Sequence, residues 1–286
     1  MTKANGQLAG RVCVITGSAA GVGRAAAQLF AAEGATVVGV DIDAAGGAQT
    51  AKLVSDSGGA SSFFEADVAD PHAVRALAAY CQDTYGRTDV LFNNAGKVVR
   101  DYVSSFNLAD WNRVMAVNVN GPLLCAEAFS AALEASGRGS IVNHSSIDGI
   151  FGNPHVASLS VSKAALNSLT RLMAHTYGNR GIRANSICSG NLANLDSDTS
   201  SGESGIGALN ISESSLFARM VKGHPALTPG GRVGTVEEAA SVALFLASDE
   251  SAYVNGAEIL LTGGRGVMTP GTTLPSDQPE TGVTGI

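Results

Sequence analysis

The chain has 286 residues, of which 45% are apolar and 15% charged, and a net charge of −7. That length suits one large α/β domain with extensions, and the apolar share excludes disorder over most of it. The negative balance, with Lys and Arg scattered, argues against a nucleic-acid or anionic-membrane surface.

Residues 11–15 are a short apolar run closed by Thr16-Gly17, the pattern of a buried parallel strand ending in a glycine turn. Residues 24–33 are alanine-rich with apolar positions at helical spacing, and Gly34 stops them. Residues 35–40 read as a second buried strand ending at Asp41, completing a βαβ unit of about thirty residues. The alternation continues through helix 44–57, strand 61–66, helix 71–85 with Pro71 in its first turn, and strand 90–92. A long helical stretch, 109–135, is interrupted by Gly121-Pro122, where a kink is expected. Strand 139–143, helix 158–177, strand 183–188, helix 236–246 and strand 257–261 complete the order.

This order predicts a Rossmann-type, doubly wound parallel sheet with helices on both faces. The expected organisation is a tail over 1–10, a single domain over 11–264, and an extension over 265–286. Within the domain, residues 191–215 are crowded with Ser, Gly, Asn and Asp and follow a strand. Loops at that end of such a sheet border the ligand crevice, so a substrate lid is expected, with an inert surface insertion as the alternative. The extension, rich in Gly, Pro and Thr, reads as a disordered tail or an arm over a neighbouring subunit.

Four cysteines, Cys13, Cys81, Cys125 and Cys188, have no metal or redox spacing and read as reduced thiols; no metal site is expected. Residues 1–10 lack the apolar run of a signal peptide, and no apolar segment reaches spanning length. A soluble, cytoplasmic protein is expected.

The segment Thr16-Gly17-Ser18-Ala19-Ala20-Gly21-Val22-Gly23 joins the first strand to the first helix. Gly17 permits the tight turn, Gly21 and Gly23 allow close approach, and the helix N-terminus offers N–H groups to a pyrophosphate. Ser18 and Val22 belong to the same loop. Asp41 stands where a carboxylate accepts hydrogen bonds from ribose hydroxyls and repels a 2′-phosphate, with no Arg beside it in sequence. NAD is therefore expected over NADP, with Ile42 walling the adenosine pocket.

Together with Asn93-Asn94-Ala95-Gly96, the Ser145-Ser146 pair and Lys163, this turn resembles the short-chain dehydrogenase/reductase family over residues 8–264. The resemblance implies that Asp67 and Val68 contact adenine, and that Asn94, Ala95, Gly96 and Leu192 border the nucleotide. It implies that Asn118 sustains a water-linked proton path, Ser146 orients the substrate oxygen, and Lys163 holds the nicotinamide ribose. It also implies a homo-oligomer, dimer or tetramer. The family's proton donor is the Tyr of a Tyr-x-x-x-Lys pair; here that place is Leu159.

Leu has no ionisable group, and losing a positioned acid typically costs about 10²–10⁴-fold in rate. Nearby, Ser189 replaces the family's usual Pro, Asn194 a common Thr, and Thr262 a usual Asp. His155, four positions before Leu159, is the candidate substitute acid, although a loop histidine ordinarily serves as a solvated or packing residue. His144 precedes the Ser pair on a strand, its direction left open by alternation; His72, His175 and His224 read as surface or packing residues. An iminium substrate, or a proton delivered through water, would avoid the need for Tyr. The expected function is NAD-dependent hydride transfer on a small alcohol/carbonyl or imine substrate. The alternative is an NAD(H)-binding pseudoenzyme or partner subunit, and a lyase is the third reading.

Overall fold

The computed structural model describes residues 6–193 and 229–266. β1 (Val12–Thr16) is buried at every position, and its side chains alternate between two cores. Cys13 and Ile15 join Phe30, Val37, Phe92 and Ala240 on one face, while Val12 and Val14 join Val38, Leu77, Phe129 and Met173 on the other. That period of two, with both faces covered, is what a central parallel strand requires.

Around β1 the chain lays down α1 (Gly21–Ala32), β2 (Thr36–Asp41), α2 (Ala44–Asp56), β3 (Ala60–Glu65), α3 (Pro71–Tyr85) and β4 (Val90–Asn93). α4 (Leu108–Met115), α5 (Gly121–Ala135), β5 (Ser140–Ser146), α6 (Asp148–Phe151) and α7 (Ala157–Tyr177) follow. β6 (Arg183–Ser189), β7 (Leu192–Ala193), β8 (Gly234–Thr235), α8 (Val236–Ala247) and β9 (Glu258–Leu261) complete the described chain. The main sheet has seven parallel strands in the order β3-β2-β1-β4-β5-β6-β9. The winding reverses between β1 and β4, opening a crevice at their carboxyl ends. Asp89, fully buried, fixes this junction by accepting from Val12 N at 2.9 Å and pairing with Arg87 at 2.5 Å.

The expected doubly wound sheet is present, with four local differences. β5 runs to Ser146 rather than ending at 143, because Asn143 to Ser146 each pair with a residue of β6. The stretch 109–135 is divided by a π-helical turn, Ala116–Asn120, before Gly121-Pro122. Pro122 lacks an N–H, and Gly121 packs so closely on Val68 that a Cβ would stand 2.8 Å from its Cγ2. The expected tail is tied down from residue 6, with Leu8 fully buried and its N–H donating to Glu33 O at 2.9 Å. The small pair β7–β8 and the single turn α6 were not legible beforehand. Among the described residues, no helix is long and apolar enough to cross a membrane.

Candidate functional site

The turn after β1 can be built only from glycines at its key positions. Gly17 and Gly21 adopt φ of 69° and 53°, the left-handed region that L side chains avoid. A Cβ on Gly17 would lie 2.8 Å from Ala95 Cα, and one on Gly23 would overlap the Gly17 carbonyl oxygen. Asn94 locks the turn: its Nδ2 donates to Thr16 O and Gly17 O, each at 3.0 Å. Asn94 N and Ala95 N both donate to Thr16 Oγ1 at 3.0 Å.

Ala20, the residue before α1, supplies no side-chain cap, and the buried Ser18 Oγ has no partner among the described residues. An anion resting on the first turn of α1 would meet those free N–H groups. Val22 differs in kind, since its side chain packs into the core.

Asp41 ends β2 with Oδ2 accepting from Ala19 N at 2.9 Å and Oδ1 from Asp43 N at 3.1 Å. No Arg neighbours Asp41 in sequence, yet the fold brings Arg24 to the same loop. Its guanidinium donates to Ala19 O, to Thr50 Oγ1 at 3.0 Å and to Gln49 Oε1 at 3.3 Å. Ile42 is exposed at the rim. Asp67 accepts from Ala69 N at 2.9 Å and pairs with Arg113 of α4 at 2.7 Å, so the turn after β3 is fastened beside Val68 and Gly121.

The opposite end of the crevice gathers Gly96, Asn118, Ser146, Leu159 and Lys163. Asn118, fully buried in the π turn, accepts from Lys97 N at 2.8 Å; its Nδ2 donates to Lys97 O at 3.0 Å and Ser162 Oγ at 2.9 Å. Gly96 leaves room beside it: a Cβ there would lie 3.6 Å from Asn118 Oδ1 and 3.7 Å from Lys163 Nζ. Lys163 is buried and donates to His144 O at 2.5 Å, and burial pushes its pKa down to about 8. Ser146 Oγ accepts from Asp148 N at 3.0 Å, and among the described residues its own proton is donated to nothing.

Leu159 is half-buried on the first turn of α7, one turn before Lys163, and its carbonyl accepts from Ser162 Oγ at 2.8 Å. α7 has no cap from its own preceding residue; Asp101, buried, serves instead by accepting from Ser158 N at 3.1 and 3.2 Å.

His155 is not brought to this group. It is exposed, edge-on to the Tyr102 ring at 5.5 Å, with Nδ1 3.4 Å from Tyr102 Oη. Leu192 lies in β7, half-buried against Gly234. Asn194, His224, residues 194–215 of the expected lid and residues 267–286 of the extension lie outside the described residues.

One residue that sequence reading passed over is Asp148, two positions after Ser146. Among the described residues its half-buried carboxylate takes a single long hydrogen bond, 3.4 Å from Asn153 Nδ2. Burial raises its pKa, an effect that Arg265 and Asn153 oppose. Among the described residues, no three His, Cys, Asp or Glu side chains are grouped to hold a metal ion, and all four cysteines are free and buried.

A family model described as enoyl-(acyl carrier protein) reductase matches residues 17–265. The chain belongs to the short-chain dehydrogenase/reductase family. A Burkholderia xenovorans crystal structure assigned to these short-chain dehydrogenases/reductases superposes with a TM-score of 0.81 at 30% identity, covering 92% of this chain and 99% of that one. An uncharacterized oxidoreductase, YxbG of Bacillus subtilis, is 35% identical over 91% of this chain and 92% of its own length. 2-(S)-hydroxypropyl-CoM dehydrogenase 3 of Xanthobacter autotrophicus is 35% identical over 90% and 97%. The human (3R)-3-hydroxyacyl-CoA dehydrogenase is 32% identical over 90% and 96%. By their descriptions these relatives are oxidoreductases and dehydrogenases.

Proposed function

We propose that this chain is an NAD-dependent oxidoreductase that moves hydride between nicotinamide and a small alcohol/carbonyl or imine substrate. The observation that carries this reading is the convergence of Asn118, Ser146 and Lys163 at the carboxyl end of β5, across the crevice from the glycine turn. When bound, the nicotinamide supplies or accepts the hydride. Gly17, Ser18, Gly21 and Gly23 would hold the pyrophosphate against α1, and Asp41 the adenosine ribose hydroxyls. Asp67, Val68 and Ile42 would enclose the adenine, with Asn94, Ala95, Gly96 and Leu192 bordering the rest.

Ser146, whose hydroxyl proton is uncommitted, donates to the substrate oxygen or nitrogen. Lys163 holds the second ribose, and Asn118 keeps the adjoining turn open for water. Leu159 occupies the place of the family's Tyr, so no side chain there delivers a proton. A water held between Ser146 and Lys163 delivers it, or an iminium substrate needs none. The domain spans 11–264, with 191–215 as its substrate lid and 265–286 as an extension. The protein is a cytoplasmic homo-oligomer, which suits its four reduced thiols.

Titration by nicotinamide fluorescence tests the cofactor. NADH should bind at least about tenfold tighter than NADPH, a margin of about 1.4 kcal/mol, and Asp41→Ala should narrow it. Tighter NADPH binding would refute the role of Asp41, and binding of neither would remove the whole proposal. A second reading, an NAD(H)-binding pseudoenzyme or partner subunit, is favoured by the missing acid at Leu159. Turnover of alcohols, carbonyls or imines by the wild type excludes it; tight NADH binding without turnover of any of them supports it.

A further inference from the structure

Ser189, which stands where the family usually has Pro, meets a histidine of β5 in space. β5 carries His144 and β6 ends in Ser189, and these side chains lie together at the carboxyl edge of the sheet. His144 Nδ1 is 2.8 Å from Asn94 Oδ1, and His144 Nε2 is 3.0 Å from Ser189 Oγ.

The directions of these bonds follow from their neighbours. Asn94 spends both Nδ2 protons on Thr16 O and Gly17 O, so its Oδ1 faces the imidazole and accepts from Nδ1–H. Nε2 then carries the lone pair and accepts from the Ser189 hydroxyl, for which Ser145 O, at 3.5 Å, is the poorer acceptor. A neutral ring is required, and desolvation together with the Lys163 ammonium holds its pKa down to about 3. The ring also packs on Phe92, centroid to centroid 6.3 Å, and its backbone oxygen seats Lys163 Nζ. A directed chain thus runs from the glycine turn through Asn94 and His144 to Ser189. The Ser189 backbone carbonyl separately accepts from Ile147 N at 2.9 Å, one residue beyond Ser146.

We propose that His144 is a positioning residue that ties the glycine turn, which would bear the pyrophosphate, to the β6 end paired with Ser146, and so sets the span of the crevice. This inference rests on the cofactor reading given above. A loose β6 end would slacken the grip on the nicotinamide half, whereas the glycine turn keeps the two Asn94 bonds to its carbonyls.

The experiment compares two ligands, NADH and ADP, the latter carrying adenosine and pyrophosphate only. Ser189→Ala removes the β6 arm alone, and His144→Leu removes both arms at similar bulk. Each should weaken NADH about tenfold, the cost of about one hydrogen bond, and shift ADP by less than about twofold. The double variant should be no worse than His144→Leu, because both substitutions break the same link. His144→Gln, which can restore one bond, should recover part of the loss. If His144→Leu does not fold, Ser189→Ala carries the test by itself. Equal weakening of NADH and ADP, additive losses in the double variant, or unchanged NADH binding would each overturn the role of His144. A wild type that binds ADP but shows no preference for NADH over it also overturns this role. A wild type that binds neither overturns the cofactor reading and this inference with it.

Discussion

Replacing Leu159 by Tyr would place a phenol on the first turn of α7, about 6 Å along the helix from Lys163. The site tolerates the change: Leu159 is half-buried, stands outside both hydrophobic cores, and sits on a turn whose start is held by Asp101. Lys163, with its pKa near 8, is mostly protonated at neutral pH, and its charge would lower the phenol from its usual value of about 10. A positioned acid or base contributes about 10²–10⁴-fold, or about 3–5 kcal/mol of barrier. Turnover measured by nicotinamide absorbance on a panel of secondary alcohols should therefore rise at least about 10²-fold in kcat/KM. Oxidation should accelerate with pH through the titration of the new phenol, and NADH affinity should stay within about threefold, since the phenol contacts the substrate. An unchanged or reduced rate in a folded variant that still binds NADH would refute the assignment of position 159 to the family's proton donor.

Lys163 also predicts a stability profile. Its folded pKa, about 8, lies below the unfolded value, so the unfolded chain holds more protons between pH 8 and about 10.5. Its contribution to stability therefore rises across that window, and Lys163→Met should flatten the urea-melting profile there relative to wild type by a few kcal/mol. A parallel profile in both proteins would contradict this. Gly23→Ala drives a methyl into the Gly17 carbonyl oxygen and within 2.7 Å of Asn94 Nδ2. The expected cost is about 1–3 kcal/mol of stability with NADH binding weakened more than about tenfold, measured by calorimetry and titration. Wild-type binding would show that the turn does not hold the cofactor. Thr235 and Glu238 form a reciprocal capping box at the start of α8. Thr235→Ala should lower the melting temperature by about 2–4 °C, for about 1 kcal/mol, and leave NADH binding unchanged. A melting temperature equal to wild type would count against that cap.

The sheet was legible because its strands are apolar runs between glycine turns, and α3 begins at Pro71 and ends at Tyr85 as the pattern required. The strand pattern of β5 stops at Asn143 because the next residues, His144, Ser145 and Ser146, are polar. Their strand conformation comes from pairing with β6 and from side-chain bonds to Asn94 and Lys163 O, which no periodicity reveals. The break in 109–135 was visible in Gly121-Pro122, but its form, a π turn that buries Asn118, depends on packing against Val68.

Contacts between distant segments were the least readable. Arg24 meets Gln49 and Thr50 only once α1 and α2 lie side by side, and His144 finds Asn94 and Ser189 only when three strands are side by side. Motif order singles out Asn118, Ser146, Leu159 and Lys163; in the fold Asn118 and Lys163 both flank Gly96, and Asn118 reaches the Leu159 turn through Ser162.

Asp101 does more than cap α7. It bridges to Val156, accepts from Ala157 N and Ser158 N, and donates from its own N–H to His155 O. The helix carrying Leu159 and Lys163 is thus anchored at its origin by a loop more than fifty residues upstream. Anyone remodelling residues 97–106 would be rewriting the foundation of that helix. Libraries aimed at this loop should leave Asp101 and its bridge untouched.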